Sequence, residues 1–278
     1  MDGISKTALG VGSLRALHRL VDAQPWVIDD PVSLALFGDA ARQLAHRDPS
    51  WGTDPARIML RAHVLVRSAF AEDRLRAAVA RGVRQCVVLG AGYDTFAYRQ
   101  PAWMDGVRVI EVDAPATQAD KRARLERARI AVPENVAFAP IDFERTSLAA
   151  GLAAAGLDAG APAFFSWLGV MVYLTRDAID AVFRFVAGLP SGSEIAFTFT
   201  APGGSAELER RVAEIGEPLL TRLEPAAVEP MLRELGFGAV TVLSSSAAAR
   251  YLGERSDALR LPPRASIAAA LVTRPASR

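Results

Sequence analysis

The residues most able to do chemistry lie in Val87-Val-Leu-Gly-Ala-Gly-Tyr-Asp-Thr95 and in the following run Val107-Arg-Val-Ile-Glu-Val-Asp113. The first run reads as a buried strand breaking into a glycine turn, the second as a strand that ends in acids. Together they form the ligand end of a nucleotide-binding βαβ unit. Gly90 and Gly92 permit a tight reversal and let a ligand approach the backbone around Ala91. Thr95 stands where a dinucleotide fingerprint carries its third glycine. Asp94 adds a carboxylate at a helix start, where it would repel a pyrophosphate and welcome an ammonium group. Asp113, with Glu111 two residues earlier on the same strand face, supplies an acid for ribose hydroxyls. S-adenosyl-L-methionine (SAM) carries an ammonium and a sulfonium but no phosphate, and it fits this pattern best. A dinucleotide and a ligand-free βαβ unit are the alternatives.

These residues need a scaffold, and the apolar periodicity describes one. From Leu9 to about Arg81 apolar residues recur at helical spacing, and Asp30-Pro31, Asp48-Pro49 and Asp54-Pro55 punctuate the pattern into several short helices. After Gly82 seven β-rich runs alternate with helical stretches: Val83 to Leu89, Val107 to Val112, Val136 to Ile141, Ala163 to Trp167, Ile195 to Thr200, Ala239 to Leu243 and Ile267 to Thr273. Such alternation predicts an α/β, doubly wound, Rossmann-like sheet covered on both faces. A turn around Pro262-Pro263 leads into the seventh run, so the last two strands would form an antiparallel hairpin. The expected division is a helical cap over residues 1–81 and a ligand-binding core over 82–278.

In open α/β sheets the ligand sits outside the carboxyl ends of the strands. That rule nominates Asp142 and Phe143 after the third strand and Leu168 to Tyr173 after the fourth. Asp142 would accept from an adenine amino group while Phe143 covers the ring, unless Asp142 is simply a helix N-cap.

Composition narrows the classes. The 278 residues carry a formal net charge of +1, so nothing in the overall balance predicts nucleic acid or an anionic membrane as a partner. The longest apolar stretch, Ala161 to Leu174, is broken by Pro162 and Gly169, and the N-terminus has no signal pattern, so a cytoplasmic protein is expected. The single cysteine, Cys86, sits in an apolar strand and reads as a core residue of a reduced protein. Of 32 basic residues only Lys6 and Lys121 are lysines. The neighbours of Lys121, namely Arg122, Arg124, Arg127 and Arg129, look like the solvated face of a helix. No phosphate-binding loop, zinc-protease helix, paired C-x-x-C or serine-hydrolase elbow occurs, and no metal site is expected.

The ordered set Ser5-Lys-Thr-Ala8, Asp30-Pro31, Arg67-Ser-Ala-Phe-Ala-Glu-Asp-Arg-Leu75, Leu89-Gly-Ala-Gly-Tyr-Asp-Thr95 with Tyr98-Arg99, Glu111-Val-Asp113 with Pro115 and Lys121, and Phe165-Ser-Trp-Leu-Gly-Val-Met-Val-Tyr-Leu-Thr175 resembles the leucine carboxyl methyltransferase family. The likeness runs from about Ser5 to Thr200 and is nearest to the family's bacterial O-methyltransferase branch, associated with polyketide and other secondary metabolism. It implies a class I methyltransferase sheet and a small-molecule methyl acceptor. It also implies that Arg67 grips the SAM carboxylate, that Lys6 closes over the same end, and that Gly90, Ala91 and Gly92 accommodate the methionine portion. Asp113 would take the ribose, and Asp142 with Phe143 the adenine. Family members that act on protein carboxyl termini carry a glutamate at the position of Leu168, so Asp94 or a backbone carbonyl would hold the ammonium here. That departure weakens a protein-methylating reading; an idle SAM-binding protein is the other alternative.

Methyl transfer from a sulfonium requires alignment more than proton movement, and only a hydroxyl acceptor needs a base. His18, His46 and His63 all lie in the helical section, so a dedicated histidine base is not assured. Tyr173 is the candidate for orienting the acceptor oxygen, against the alternative of a core tyrosine with a satisfied hydroxyl.

Overall fold

The computed structural model describes residues 3–144, 147–203, 206–255, 257–262 and 266–273. Seven strands form one sheet: β1 (Gln85–Leu89), β2 (Arg108–Asp113), β3 (Val136–Pro140), β4 (Phe164–Trp167), β5 (Glu194–Thr198), β6 (Ala239–Val242) and β7 (Ile267–Leu271), in the order β3-β2-β1-β4-β5-β7-β6. All seven expected runs are strands. The chain reverses its strand order between β1 and β4, and the carboxyl ends around that crossing carry the glycine turn and the acids.

β7 pairs antiparallel with both β5 and β6, wedged between them. The last two strands are antiparallel, as expected, but a helix at Ser245–Leu252 intervenes, so they are not a tight hairpin. Pro263, half of the expected turn, lies outside the described residues.

The strands alternate as a twice-covered sheet demands. Val87, Leu89, Ile110, Val112, Phe165, Trp167, Ile195 and Phe197 face one core, and Cys86, Val88, Val109, Phe164 and Ala196 the other. Helices α1 (Lys6–Val21), α2 (Pro31–Arg47) and α3 (Pro55–Ala80) precede the sheet, followed by α4 (Pro115–Arg127), α5 (Leu148–Ala154), α6 (Arg176–Gly188), α7 (Ala206–Glu214), α8 (Pro225–Glu234) and α9 (Ser245–Leu252). The Asp-Pro pairs work as their chemistry suggests: Asp30 and Asp54 accept from the third residue of α2 and α3, and each proline occupies a first-turn position that needs no donor. The helical section is less fragmented than expected, because α3 runs unbroken for 26 residues. Its Val66, Phe70, Ala71, Leu75 and Ala78 lie against the sheet face that contains Cys86 and Val88. Burial pushes the Cys86 thiol up, which keeps it an inert core group.

Lys121 corrects the reading of α4 as a uniformly solvated face. It is 1% exposed, and its Nζ donates to Glu111 Oε1 at 2.7 Å while Tyr98 donates its hydroxyl to Glu111 Oε2 at 2.7 Å. Glu111 therefore turns inward beside the sheet and leaves Asp113 alone at the strand tip. Burial raises the Glu111 carboxyl, with Lys121 and Tyr98 pulling against it. Removing one member of such a pair strands the other charge. Lys121→Met should lower the unfolding free energy by about 3 to 5 kcal/mol, read by urea denaturation; a loss under about 1 kcal/mol would deny the pair its structural role.

Candidate active site

Gly90 and Gly92 have φ of +61° and +47°, a region that costs a side chain strain. Space forbids a side chain as well. A Cβ on Gly90 would lie 2.3 Å from Val170 Cγ2, and one on Gly92 3.2 Å from Ala8 Cβ. Between them, Ala91 donates its N–H to Val112 O at 2.8 Å, which ties the turn to the neighbouring strand. Asp113 completes the tie: Oδ2 accepts from Gly92 N at 2.5 Å and Oδ1 from Ala114 N at 2.7 Å. Burial raises the Asp113 carboxyl, opposed by these two N–H groups and by Lys121. The side chain is half-buried, so the strand-tip acid keeps an exposed portion beside the turn.

Helix α1 lies across this mouth. Ala8 meets Gly92, Ser5 donates its N–H to Thr117 Oγ1 at 3.1 Å, and Lys6 donates its N–H to Glu217 Oε1 at 2.6 Å. The Lys6 side chain is exposed. Tyr173 ends a short 3-10 turn after β4, with Thr7, Glu217 and Arg67 around its hydroxyl. Burial raises the Tyr173 phenol; the hydrogen bond with Thr7 and the Arg67 charge lower it, and Glu217 raises it further.

Arg67 is the anomaly of the region. It is 8% exposed, its Nε is buried without a partner, and it makes no hydrogen bond or ion pair with any described residue. Gly169, at φ +78°, lies flat against it: a Cβ there would sit 2.6 Å from Nη1. Burial and the nearby Arg15 cation push the guanidinium down to about 10. Asp94, the nearest acid in the turn, is already engaged. Its Oδ2 accepts from Arg15 Nη2 at 2.5 Å and its Oδ1 from Phe96 N at 2.9 Å. Burial pushes the Asp94 carboxyl up, but Arg15, Lys121 and Arg99 outweigh it and hold it below its ordinary value.

The remaining candidates divide. Asp142 accepts from Glu144 N at 3.0 Å in a turn after β3, and Phe143 packs 6.5 Å from Trp167 between ring centres. Leu168 lines a cavity of about 20 Å³ with Ser68, Asp94 and Ser166, facing α3. His18 is structural: Nδ1 meets Asp22 Oδ2 at 2.8 Å, Nε2 accepts from Val27 N at 3.0 Å, and Arg61 grips Asp22 with two bonds of 2.6 Å. His46 is exposed on α2. His63 lies one helical turn before Arg67, and burial with the Arg67 charge drives its imidazole down to about 3. Two residues that sequence reasoning missed, Arg15 and Glu217, organise the mouth. Arg15 is one arginine in an arginine-rich chain, and Glu217 lies beyond the recognisable motifs.

A sequence model described as leucine carboxyl methyltransferase matches residues 8–187. A Bacillus subtilis protein provisionally named as a SAM-dependent methyltransferase is 35% identical over 191 residues, which cover 65% of this chain and 62% of that protein. A Streptomyces coelicolor protein with the same kind of name is 35% identical over 207 residues, 72% of this chain and 71% of its own. A Frankia alni relative is 31% identical over 255 residues, 90% and 87% respectively. Among solved structures, a DUF574 family protein of Streptomyces avermitilis has a TM-score of 0.56 at 18% identity, covering 95% of this chain and 97% of its own. A provisionally named methyltransferase of Thermobifida fusca has a TM-score of 0.57 at 18% identity, covering 95% and 94%. The fold is that of the class I methyltransferases, and the match along the first two thirds of the sequence means that this chain belongs to the leucine carboxyl methyltransferase family of SAM-dependent methyltransferases.

Proposed function

We propose that this methyltransferase transfers a methyl group from SAM to an oxygen of a small metabolite, with a carboxylate preferred to a hydroxyl, in cytoplasmic secondary metabolism. The observation that carries the cofactor site is Arg67, a buried guanidinium with no hydrogen bond or ion pair to any described residue, pressed against Gly169, where a side chain would collide with it. A planar fork of donors suits a carboxylate, and an α-amino acid supplies one. The rest of the mouth fits the same ligand. Gly90, Ala91 and Gly92 would accommodate the methionine portion, Asp113 would accept from the ribose hydroxyls, and Asp142 with Phe143 would receive the adenine. Lys6, the first residue of α1, would close over the carboxylate end. Asp94 would act on the ammonium through its field, because Arg15 already holds its outer oxygen.

When bound, SAM supplies a methyl group on a cationic sulfur, open to in-line attack. The protein's own residues then have to align the acceptor and exclude water, and alignment alone can account for roughly 7 to 11 kcal/mol of the barrier. Tyr173, with Thr7 and Arg67 beside its hydroxyl, would orient the acceptor oxygen. A carboxylate needs no base. His63, the histidine beside Arg67, has too low a pKa to take up a proton at neutral pH. Leu168 in place of a glutamate favours a small acceptor over a protein carboxyl terminus.

Two outcomes test this reading. Arg67→Met should weaken S-adenosylhomocysteine binding by about 1 to 3 kcal/mol in calorimetry, while the free protein becomes no less stable, because an uncompensated cation leaves the interior. Unchanged affinity would remove Arg67 from the site. With a carboxylic acid acceptor, kcat/KM should stay flat from about pH 6 to about pH 8, since neither acceptor nor His63 changes charge there. An inflection near 6.5 that disappears in His63→Gln would assign proton transfer to that imidazole.

A further inference from the structure

Glu217 belongs to no motif, yet it is 6% exposed and all its described side-chain contacts go to one place. Its Oε1 accepts from Lys6 N at 2.6 Å; its Oε2 accepts from Thr7 N at 3.3 Å, from the Ser5 hydroxyl at 3.2 Å and from the Thr7 hydroxyl. A helix start exposes four N–H groups that its own ladder cannot satisfy. Here Thr117 Oγ1 takes the N–H of Ser5, Ser5 Oγ that of Ala8, and a carboxylate more than 200 residues away takes those of Lys6 and Thr7. The negative charge also sits at the positive end of the α1 dipole.

The position of Glu217 is itself fixed on both sides. Gly216, at φ +84°, ends α7, and Gly216 N and Glu217 N close onto Ala213 O and Val212 O, both at 2.9 Å. Just after it, Leu220 N and Thr221 N donate to Val172 O at 2.7 and 3.2 Å, and the Thr221 hydroxyl donates to Leu174 O at 2.6 Å. The segment from Glu217 to Thr221 therefore joins the first turn of α1 to the turn that carries Tyr173. Thr7 also meets Tyr173 directly through a side-chain hydrogen bond.

We infer that Glu217 is a positioning residue for methyl transfer: its carboxylate holds Ser5, Lys6 and Thr7 across the mouth of the sheet and registers them against Tyr173. The inference rests on the proposed SAM site for its functional half. Its structural half, the tethering of α1, stands independently. Loss of the carboxylate frees the start of α1, so the enzyme must order Lys6 and Thr7 each time the cofactor binds, which raises KM for SAM.

The test uses the full-length enzyme carrying Glu217→Gln or Glu217→Ala, with Thr7→Val, which also removes the hydrogen bond to Tyr173, as a second route for the exchange measurement should the alanine variant fold poorly. Hydrogen exchange of the amides of Lys6, Thr7 and Ala8 should accelerate about tenfold or more in Glu217→Gln, with β1 and β2 unchanged. KM for SAM and the dissociation constant for S-adenosylhomocysteine should rise about tenfold, with a smaller change in kcat, as expected when binding must also order a segment. Glu217→Asp should restore part of both. A role confined to stability would lower Tm and the active fraction without moving KM. Wild-type exchange in Glu217→Gln overturns the tether; faster exchange with wild-type KM overturns the positioning role. Should the wild-type enzyme bind no S-adenosylhomocysteine, the SAM reading fails instead, while the exchange result still decides the tether.

Discussion

A buried cation with no ion pair is a cost that a fold does not carry without reason, and among the described residues Arg67 is such a cation. The acids able to neutralise it are committed elsewhere. Asp94 is held by Arg15, Glu72 forms an ion pair with Arg99, and Glu217 is consumed by the first turn of α1. Each commitment is structural, since it fastens a helix of the N-terminal section to the sheet or to a late loop. Among the described residues, these pairings leave the Arg67 guanidinium unmatched against a glycine at the carboxyl end of β4. In the proposed SAM site that guanidinium would take the cofactor's carboxylate.

Sheet topology explains why that demand falls where it does. The reversal between β1 and β4 leaves a crevice at the strand ends, and the glycine turn, Asp113 and the Gly169 segment are its walls. Helix α1 then spans the crevice, touching the turn through Ala8, α4 through Thr117 and the late loop through Glu217. Gly92, Thr117 and Glu217, from three separate parts of the sequence, meet at one helix start. A cofactor bound below it would be enclosed, which removes water from the sulfonium and holds an acceptor in line.

Much of this was legible in the residues. The β-branched runs named every strand, because a sheet covered on both faces needs continuous apolar segments. The Asp-Pro pairs marked helix starts, because capping and a missing donor both act locally. Charge partners were less legible, because they depend on which side chains tertiary packing brings together. Lys121 reads as one cation among many on a helix, and only the packing of α4 on β2 turns it toward Glu111. Asp94 reads as an acid free to meet an ammonium, and only the crossing of α1 brings Arg15 to it. Glu217 had no local signal, since its partners lie more than 200 residues away.

The most direct test of this account is a crystal structure of the protein with S-adenosylhomocysteine. The account expects the ligand carboxylate within hydrogen-bond distance of the Arg67 guanidinium, the ribose hydroxyls on Asp113, and the first turn of α1 closed above them. A ligand whose carboxylate points to solvent, with Arg67 satisfied by a protein acid, would contradict it.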